Sequence, residues 1–77
     1  MKPDEKEFLK RCQQSKREIR VRDIINSVDF TMNYKRAWYI LEKWSGKGWY
    51  DYGVSLDLGW MTEEGMAINR ENQGRFD

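Results

Sequence analysis

Two Gly-Trp pairs enclose the stretch that most constrains how this chain folds. Residues 48–65 read GWYDYGVSLDLGWMTEEG, and apolar and polar residues alternate between the two pairs. Because successive side chains of a strand point to opposite faces, the pattern predicts two short antiparallel strands joined by a turn near residues 55–59. Trp49 and Trp60 are then expected cross-strand neighbours. The residues expected to pack inward are Tyr50, Tyr52, Val54 and Leu56.

Helical spacing dominates the chain before this hairpin. Apolar residues at i, i+3, i+4 and i+7 predict a helix over about 21–28, and the next such face predicts a helix over about 32–45 that ends at Gly46 in a left-handed cap. A first helix over about 4–15 has one narrow apolar stripe, and a very short strand is expected at 18–20. The apolar faces are Phe8, Leu9 and Cys12; Val21, Ile24, Ile25 and Val28; and Tyr34, Ala37, Trp38, Leu41 and Trp44.

A last helix is expected to follow the hairpin. Thr62 is a good N-cap, and Glu63 and Glu64 suit the first turn because acidic groups oppose the helix dipole. The polar segment 69–77 is expected to fray. With 77 residues in total, the sequence predicts one small domain spanning 1–77.

The predicted order is helix, strand, helix, helix, strand, turn, strand, helix. In this order the chain resembles the winged helix-turn-helix superfamily, most closely the MarR-type regulators and small phage and bacterial winged-helix proteins. The resemblance covers roughly residues 18–68 and rests on VRDIINSVDFTMNYKRAWYILEKWSGKGWY and WMTEEGMAI. It implies an α+β fold with a three-helix core, a small antiparallel β-hairpin wing and a short C-terminal helix. The helix-turn-helix is then expected over about 21–45 and the wing over about 48–62.

Charge and resemblance together favour DNA as the partner. Residues 1–48 contain twelve Lys and Arg against seven Asp and Glu, whereas residues 49–77 contain two against six. The resemblance implies that helix 32–45 reads the major groove of double-stranded DNA in a transcription regulator. Asn, Arg, Lys, Thr and Tyr are suited to bases and phosphates. The candidate contacts are Thr31, Asn33, Lys35, Arg36, Tyr39 and Lys43, with Arg20 and Arg22 on the flanking backbone. A homodimer through helix 4–15 is expected to strengthen binding.

The hairpin favours a different partner. Its acidic residues Asp51 and Asp57, with no Lys or Arg beside them, oppose a phosphate contact at the wing. The alternative is an interaction module that binds a protein through an apolar wing surface and uses no nucleic acid. The residues expected in that surface are Trp49, Leu56, Leu58 and Trp60.

The residue inventory argues against catalysis and against cofactors. The chain has no histidine and one cysteine, Cys12, which lies on an apolar helix stripe without a neighbouring base. Zinc-ligand spacing and a phosphate-binding glycine motif are both missing from the sequence, so we expect no metal and no cofactor. No apolar run reaches the length of a signal peptide or membrane span. We therefore expect a cytoplasmic protein that is not an enzyme and has no membrane partner.

Overall fold

The computed structural model describes residues 1–15 and 17–74, with side chains as far as Ile68. Within these residues the chain forms four helices and three strands, an α+β arrangement in the predicted order. The elements are α1 (Pro3–Gln14), β1 (Ile19–Arg20), α2 (Val21–Ile25), α3 (Tyr34–Lys47), β2 (Tyr50–Tyr52), β3 (Leu58–Met61) and α4 (Glu63–Gly74).

The three strands form one antiparallel sheet in the order β1-β3-β2. In the β2–β3 hairpin, Tyr50 pairs with Met61 and Asp51 pairs with Trp60. The expected pairing of Trp49 with Trp60 is therefore wrong. Trp49 lies one residue before β2, where its carbonyl accepts from the backbone N–H of Thr62 at 2.9 Å.

A single apolar core lies between the helices and the inner face of the sheet. The ring of Phe8 from α1 stacks on the ring of Trp44 from α3, with 5.3 Å between the ring centres. Tyr50 is buried among them, and its hydroxyl donates to the carbonyl of Leu56 at 2.7 Å. The core comprises Phe8, Leu9, Cys12, Ile19, Val21, Ile25, Ala37, Ile40, Leu41, Trp44, Tyr50 and Leu56.

Two of the four hairpin residues expected to pack inward do not. Tyr52 is partly exposed and Val54 is fully exposed, whereas Tyr50 and Leu56 are buried. Val54 lies beyond β2, which ends at Tyr52 where the chain bends, so the alternation of a strand no longer applies to it. Tyr52 keeps the same sheet face as Tyr50, but it is the last residue of the strand and is only partly covered.

The turn between α2 and α3 begins earlier than the periodicity predicts. Helix α2 ends at Ile25, and a bridge between Asn26 and Thr31 closes the turn. Within it the Ser27 hydroxyl donates to the Phe30 carbonyl at 2.9 Å. Val28, which was expected on the apolar face of the helix, lies in this turn and is fully exposed.

Helix α3 is displaced by two residues relative to its predicted limits. The Asn33 side chain accepts from the backbone N–H groups of Lys35 and Arg36, so the first helical residue is Tyr34. At the other end Gly48 adopts the left-handed conformation, with φ of 81°. Gly48, not Gly46, is thus the residue that needs the freedom of glycine to end the helix.

The apolar stripe of α1 is used within the protomer. Phe8, Leu9 and Cys12 have no exposed surface because α2, α3 and the sheet cover them. These three side chains are therefore not available for a homodimer contact, since a small domain needs them for its own core. A homodimer through another face of helix 4–15 stays a prediction.

Thr62 caps α4 as predicted. The backbone N–H of Gly65 donates to its hydroxyl oxygen at 3.1 Å, and its hydroxyl donates to the carbonyl of Gly48 at 2.6 Å. The backbone of residues 69–74, part of the segment expected to fray, is helical, and residues 75–77 lie outside the described residues.

Candidate nucleic-acid interface

The first half of α3 exposes two of the predicted DNA contacts. Lys35 is exposed, and Tyr39, one turn later, has 61 % of its surface exposed. Thr31 and Asn33 are exposed just before the helix. The Asn33 oxygen is already used as the helix cap, so that only its amide N–H groups are left to meet a base or phosphate.

Arg36 and Lys43 occupy the side of α3 that faces α1, and both are half-buried. The Arg36 guanidinium donates to both carboxylate oxygens of Asp4, at 2.6 and 2.9 Å. This bidentate pair holds the pKa of Asp4 at about 2. Lys43 donates to the Glu5 carboxylate at 2.8 Å. These two cations, which we expected to face solvent, are therefore already neutralised by acids of α1.

Arg20 and Arg22 lie where β1 passes into α2. Both are exposed, and the guanidinium of Arg22 lies over the ring of Tyr34, 4.6 Å from its centre. The Nε of Arg22 is 3.3 Å from the Asp57 carboxylate, with 70 % of the Arg22 side chain still exposed. Arg22 therefore lies beside the start of α3, whereas Arg20 is in register with Leu58 of the sheet. A contact of either arginine with a DNA backbone stays a prediction.

Asp57 joins the hairpin to the helices. It accepts from the Ser55 hydroxyl and, at 3.1 Å, from the Tyr34 hydroxyl. These bonds and the nearby Arg22 outweigh the partial burial of Asp57 and lower its pKa. One of the two acidic residues of the hairpin is therefore largely compensated, while the other, Asp51, is exposed.

The predicted partner surface of the hairpin is not continuous, because its four residues lie in three different environments. Leu58 and Trp60 project from the outer face of the sheet, with 44 % of Trp60 exposed. Trp49 is half-buried beneath the ammonium of Lys47, 4.9 Å from the ring centre. Leu56 is buried in the core, so its predicted place in the surface is wrong.

Two further residues that bear on binding were not among the predicted contacts. Glu42 is exposed on α3 and its carboxylate accepts from the indole N–H of Trp38 at 2.5 Å. Glu42 follows Tyr39 by three positions and so lies on the same outward face of the helix. The helical spacing alone therefore predicts that Glu42 is exposed. Trp38, assigned to the inner face, is half-buried and lines a cleft between α3 and the hairpin.

Cys12, the one cysteine of the sequence, is buried in the core. Burial raises the pKa of the Cys12 thiol to about 12, so the reactive thiolate is strongly disfavoured there. Among the side chains that the structure describes, those of residues 1–15 and 17–68, His, Cys, Asp and Glu form no group of three suited to a metal ion. Within residues 1–15 and 17–74, every helix is too short or too polar to cross a membrane.

Comparisons with protein-family models, with curated proteins and with solved structures give no match for this chain.

Proposed function

We propose that this protein is a small winged-helix DNA-binding regulator that reaches the major groove with the first half of α3. The observation that favours this function is the arrangement around the α2–α3 turn. Exposed Lys35 and Tyr39 project from α3, and the exposed cation of Arg22 lies over the ring of Tyr34 in its first turn. The winged-helix classification is part of the proposal and is supported by the element order and by the sheet order β1-β3-β2.

The proposed contact differs from the one expected from sequence. Arg36 and Lys43 are paired with Asp4 and Glu5, so a phosphate would have to compete with an existing carboxylate partner for either of them. Lys35 has no such partner among the described residues. We therefore assign the main electrostatic contribution to Lys35 and none to the hairpin tip. Arg22 adds a smaller contribution, because 70 % of its side chain is exposed although its Nε lies 3.3 Å from the Asp57 carboxylate.

Titration of a fluorescently labelled mixed-sequence duplex, followed by anisotropy at about 50 and about 200 mM salt, tests this function. Binding should weaken steeply with salt because contacts to phosphates release counterions. Lys35→Ala should weaken binding and reduce the salt slope by about one. Lys10→Ala, which removes another exposed cation from α1, is the matched control and should change binding much less.

An absence of binding at the lower salt concentration would contradict a DNA-binding face. Equal losses for Lys35→Ala and Lys10→Ala would show a diffuse charge effect and would overturn the assignment to α3. Circular dichroism of both variants checks that neither substitution alters the fold.

A second function is favoured by one observation, the exposed pair Leu58 and Trp60 on the outer face of the sheet. Arg20 lies opposite Leu58 and Asp51 lies opposite Trp60, so the apolar pair is bordered by one charge of each sign. An apolar centre with a charged rim is typical of protein interfaces. Under this alternative, Trp60→Ala abolishes binding to a protein partner and leaves any DNA affinity unchanged.

A further inference from the structure

A cleft of about 450 Å³ separates α3 from the β2–β3 hairpin. Trp38, Glu42 and Ser45 line it from the helix, and Tyr52 and Val54 line it from the hairpin. Because side chains alternate along a strand, Tyr52 projects from the sheet face opposite to that of Trp60. The cleft is therefore separate from the Leu58–Trp60 surface. Its lining residues on α3 do not include Lys35 or Tyr39, the two α3 residues assigned to DNA.

The charge of the cleft is negative. Among the described residues, Glu42 is the only carboxylate that lines the cleft, no Lys or Arg lines it, and Glu42 forms no ion pair. The indole N–H of Trp38 donates to one oxygen of this carboxylate, which fixes the acid beside the aromatic ring. A phosphate group would be repelled here, whereas a cation would gain both a charge partner and an aromatic face.

The aromatic rings that line the cleft favour a guanidinium over an ammonium. Trp38 is half-buried and Tyr52 has 39 % of its surface exposed, so both rings are open to contact in part. A planar guanidinium can stack on such rings and donate in the same plane to a carboxylate, which a compact ammonium cannot do. Val54, fully exposed at the mouth of the cleft, offers an apolar contact to the residue beside the cation.

We propose that this cleft binds an arginine side chain presented by an extended segment of a protein partner. Glu42 accepts hydrogen bonds from the guanidinium, Trp38 and Tyr52 pack on its faces, and Val54 contacts the adjoining apolar side chain. This interaction goes beyond the proposed DNA contact and does not depend on it. A failure of the duplex titration would leave the cleft and its charge unchanged.

The test uses the full chain and two blocked pentapeptides, Gly-Val-Arg-Val-Gly and the analogue in which citrulline replaces arginine. Citrulline keeps nearly the same shape but has no charge. The readout is the ¹H–¹⁵N spectrum, in which Trp38→Phe identifies the indole signal of Trp38. With the arginine peptide we expect saturable shifts of this signal and of the Tyr52 and Val54 amide signals. The citrulline peptide should bind about fivefold more weakly, because it lacks the charge that forms a partly exposed ion pair.

Glu42→Gln should reduce the affinity for the arginine peptide by a similar factor, about fivefold. Glu63→Gln, which neutralises an exposed acid at the start of α4, is the matched control and should leave it unchanged. The proposal would be overturned if the two peptides bound equally, or if Glu42→Gln bound the arginine peptide as tightly as the parent protein does. It would also be overturned if the peptide caused no localised shifts. Shifts of the same three signals by a DNA duplex would also overturn it, since they would assign the cleft to nucleic acid.

Discussion

The carboxylate of Glu5 accepts a hydrogen bond from the indole N–H of Trp44 at 2.9 Å in the interior of the protein. Glu5 is 4 % exposed, and its other oxygen accepts from the ammonium of Lys43 at 2.8 Å. Burial by itself would raise the pKa of Glu5, but these two hydrogen bonds outweigh it, and the pKa lies below its usual value. A charged side chain is thus part of the contact between α1 and α3.

Removal of this carboxylate should destabilise the fold. Glu5→Ala leaves the indole N–H of Trp44 and the ammonium of Lys43 without their partner, and we expect a loss of about 2–3 kcal/mol in the free energy of unfolding. Glu5→Gln retains an acceptor oxygen and should cost about 1 kcal/mol. Urea unfolding followed by tryptophan fluorescence measures both. Glu7→Gln, which removes only a partly exposed pair with Arg11, should change stability by less than about 0.5 kcal/mol.

The stability should fall in acid because three carboxylates have lowered pKa values in the folded state. Asp4 titrates at about 2, and the pKa values of Glu5 and Asp57 also lie below their usual range. As the pH falls, these carboxylates bind protons at about pH 4 in the unfolded chain but only at lower pH in the folded chain. The midpoint of thermal unfolding should therefore be nearly constant from about pH 7 to 5 and should fall progressively from about pH 4 to 2.

The Asp4→Asn variant tests the origin of this effect. Its thermal midpoint should decline less between about pH 4 and 2, because one of the groups that bind protons differently in the two states is missing. A parallel decline in the variant and the parent protein would show that the Arg36–Asp4 pair has no part in the acid transition.

The order of elements was predictable because it rests on local patterns. Helical spacing identified Ala37, Leu41 and Trp44 as the buried face of α3, and all three have no exposed surface. Alternation identified the hairpin, and a threonine followed by two glutamates identified the start of α4. The limits of α2 and α3 were less accurate, because hydrogen bonds of the turn and of the Asn33 cap determine them.

The candidate site was less predictable, because the tertiary fold brings together charges that are distant in sequence. Arg36 meets Asp4 from 32 positions away, and Lys43 meets Glu5 from 38 positions away. Spacing along α3 cannot show that these cations are paired. Glu42 is different, because the helical spacing does predict that it is exposed. It was not among the candidate residues because those were chosen as contacts to DNA, which an acidic side chain does not favour.

The second Gly-Trp pair requires glycine because of close packing within the hairpin. A Cβ at Gly59 would lie 2.6 Å from Cζ of Tyr50 and closer still to the carbonyl oxygen of Asp51. We expect Gly59→Ala to lower the free energy of unfolding by about 1–3 kcal/mol or more, since the backbone of β2 would have to move. Gly53→Ala is the matched control, because a Cβ there meets no atom within 4 Å. Equal stability of the two variants in urea would contradict this explanation.

A new cation at the tip of the hairpin should show whether that tip lies near DNA in the proposed complex. Gly53 is exposed and a Cβ there meets no atom within 4 Å, so Gly53→Arg adds a charge without disturbing the core. If the hairpin lies beside a phosphate while α3 occupies the major groove, the variant should bind duplex DNA more tightly at low salt and with a salt slope steeper by about one. Gln14→Arg adds the same charge at the exposed end of α1 and should have a much smaller effect. Equal effects of the two substitutions would mean that the hairpin does not approach the duplex, and DNA contact would then be confined to α3 and the start of α2.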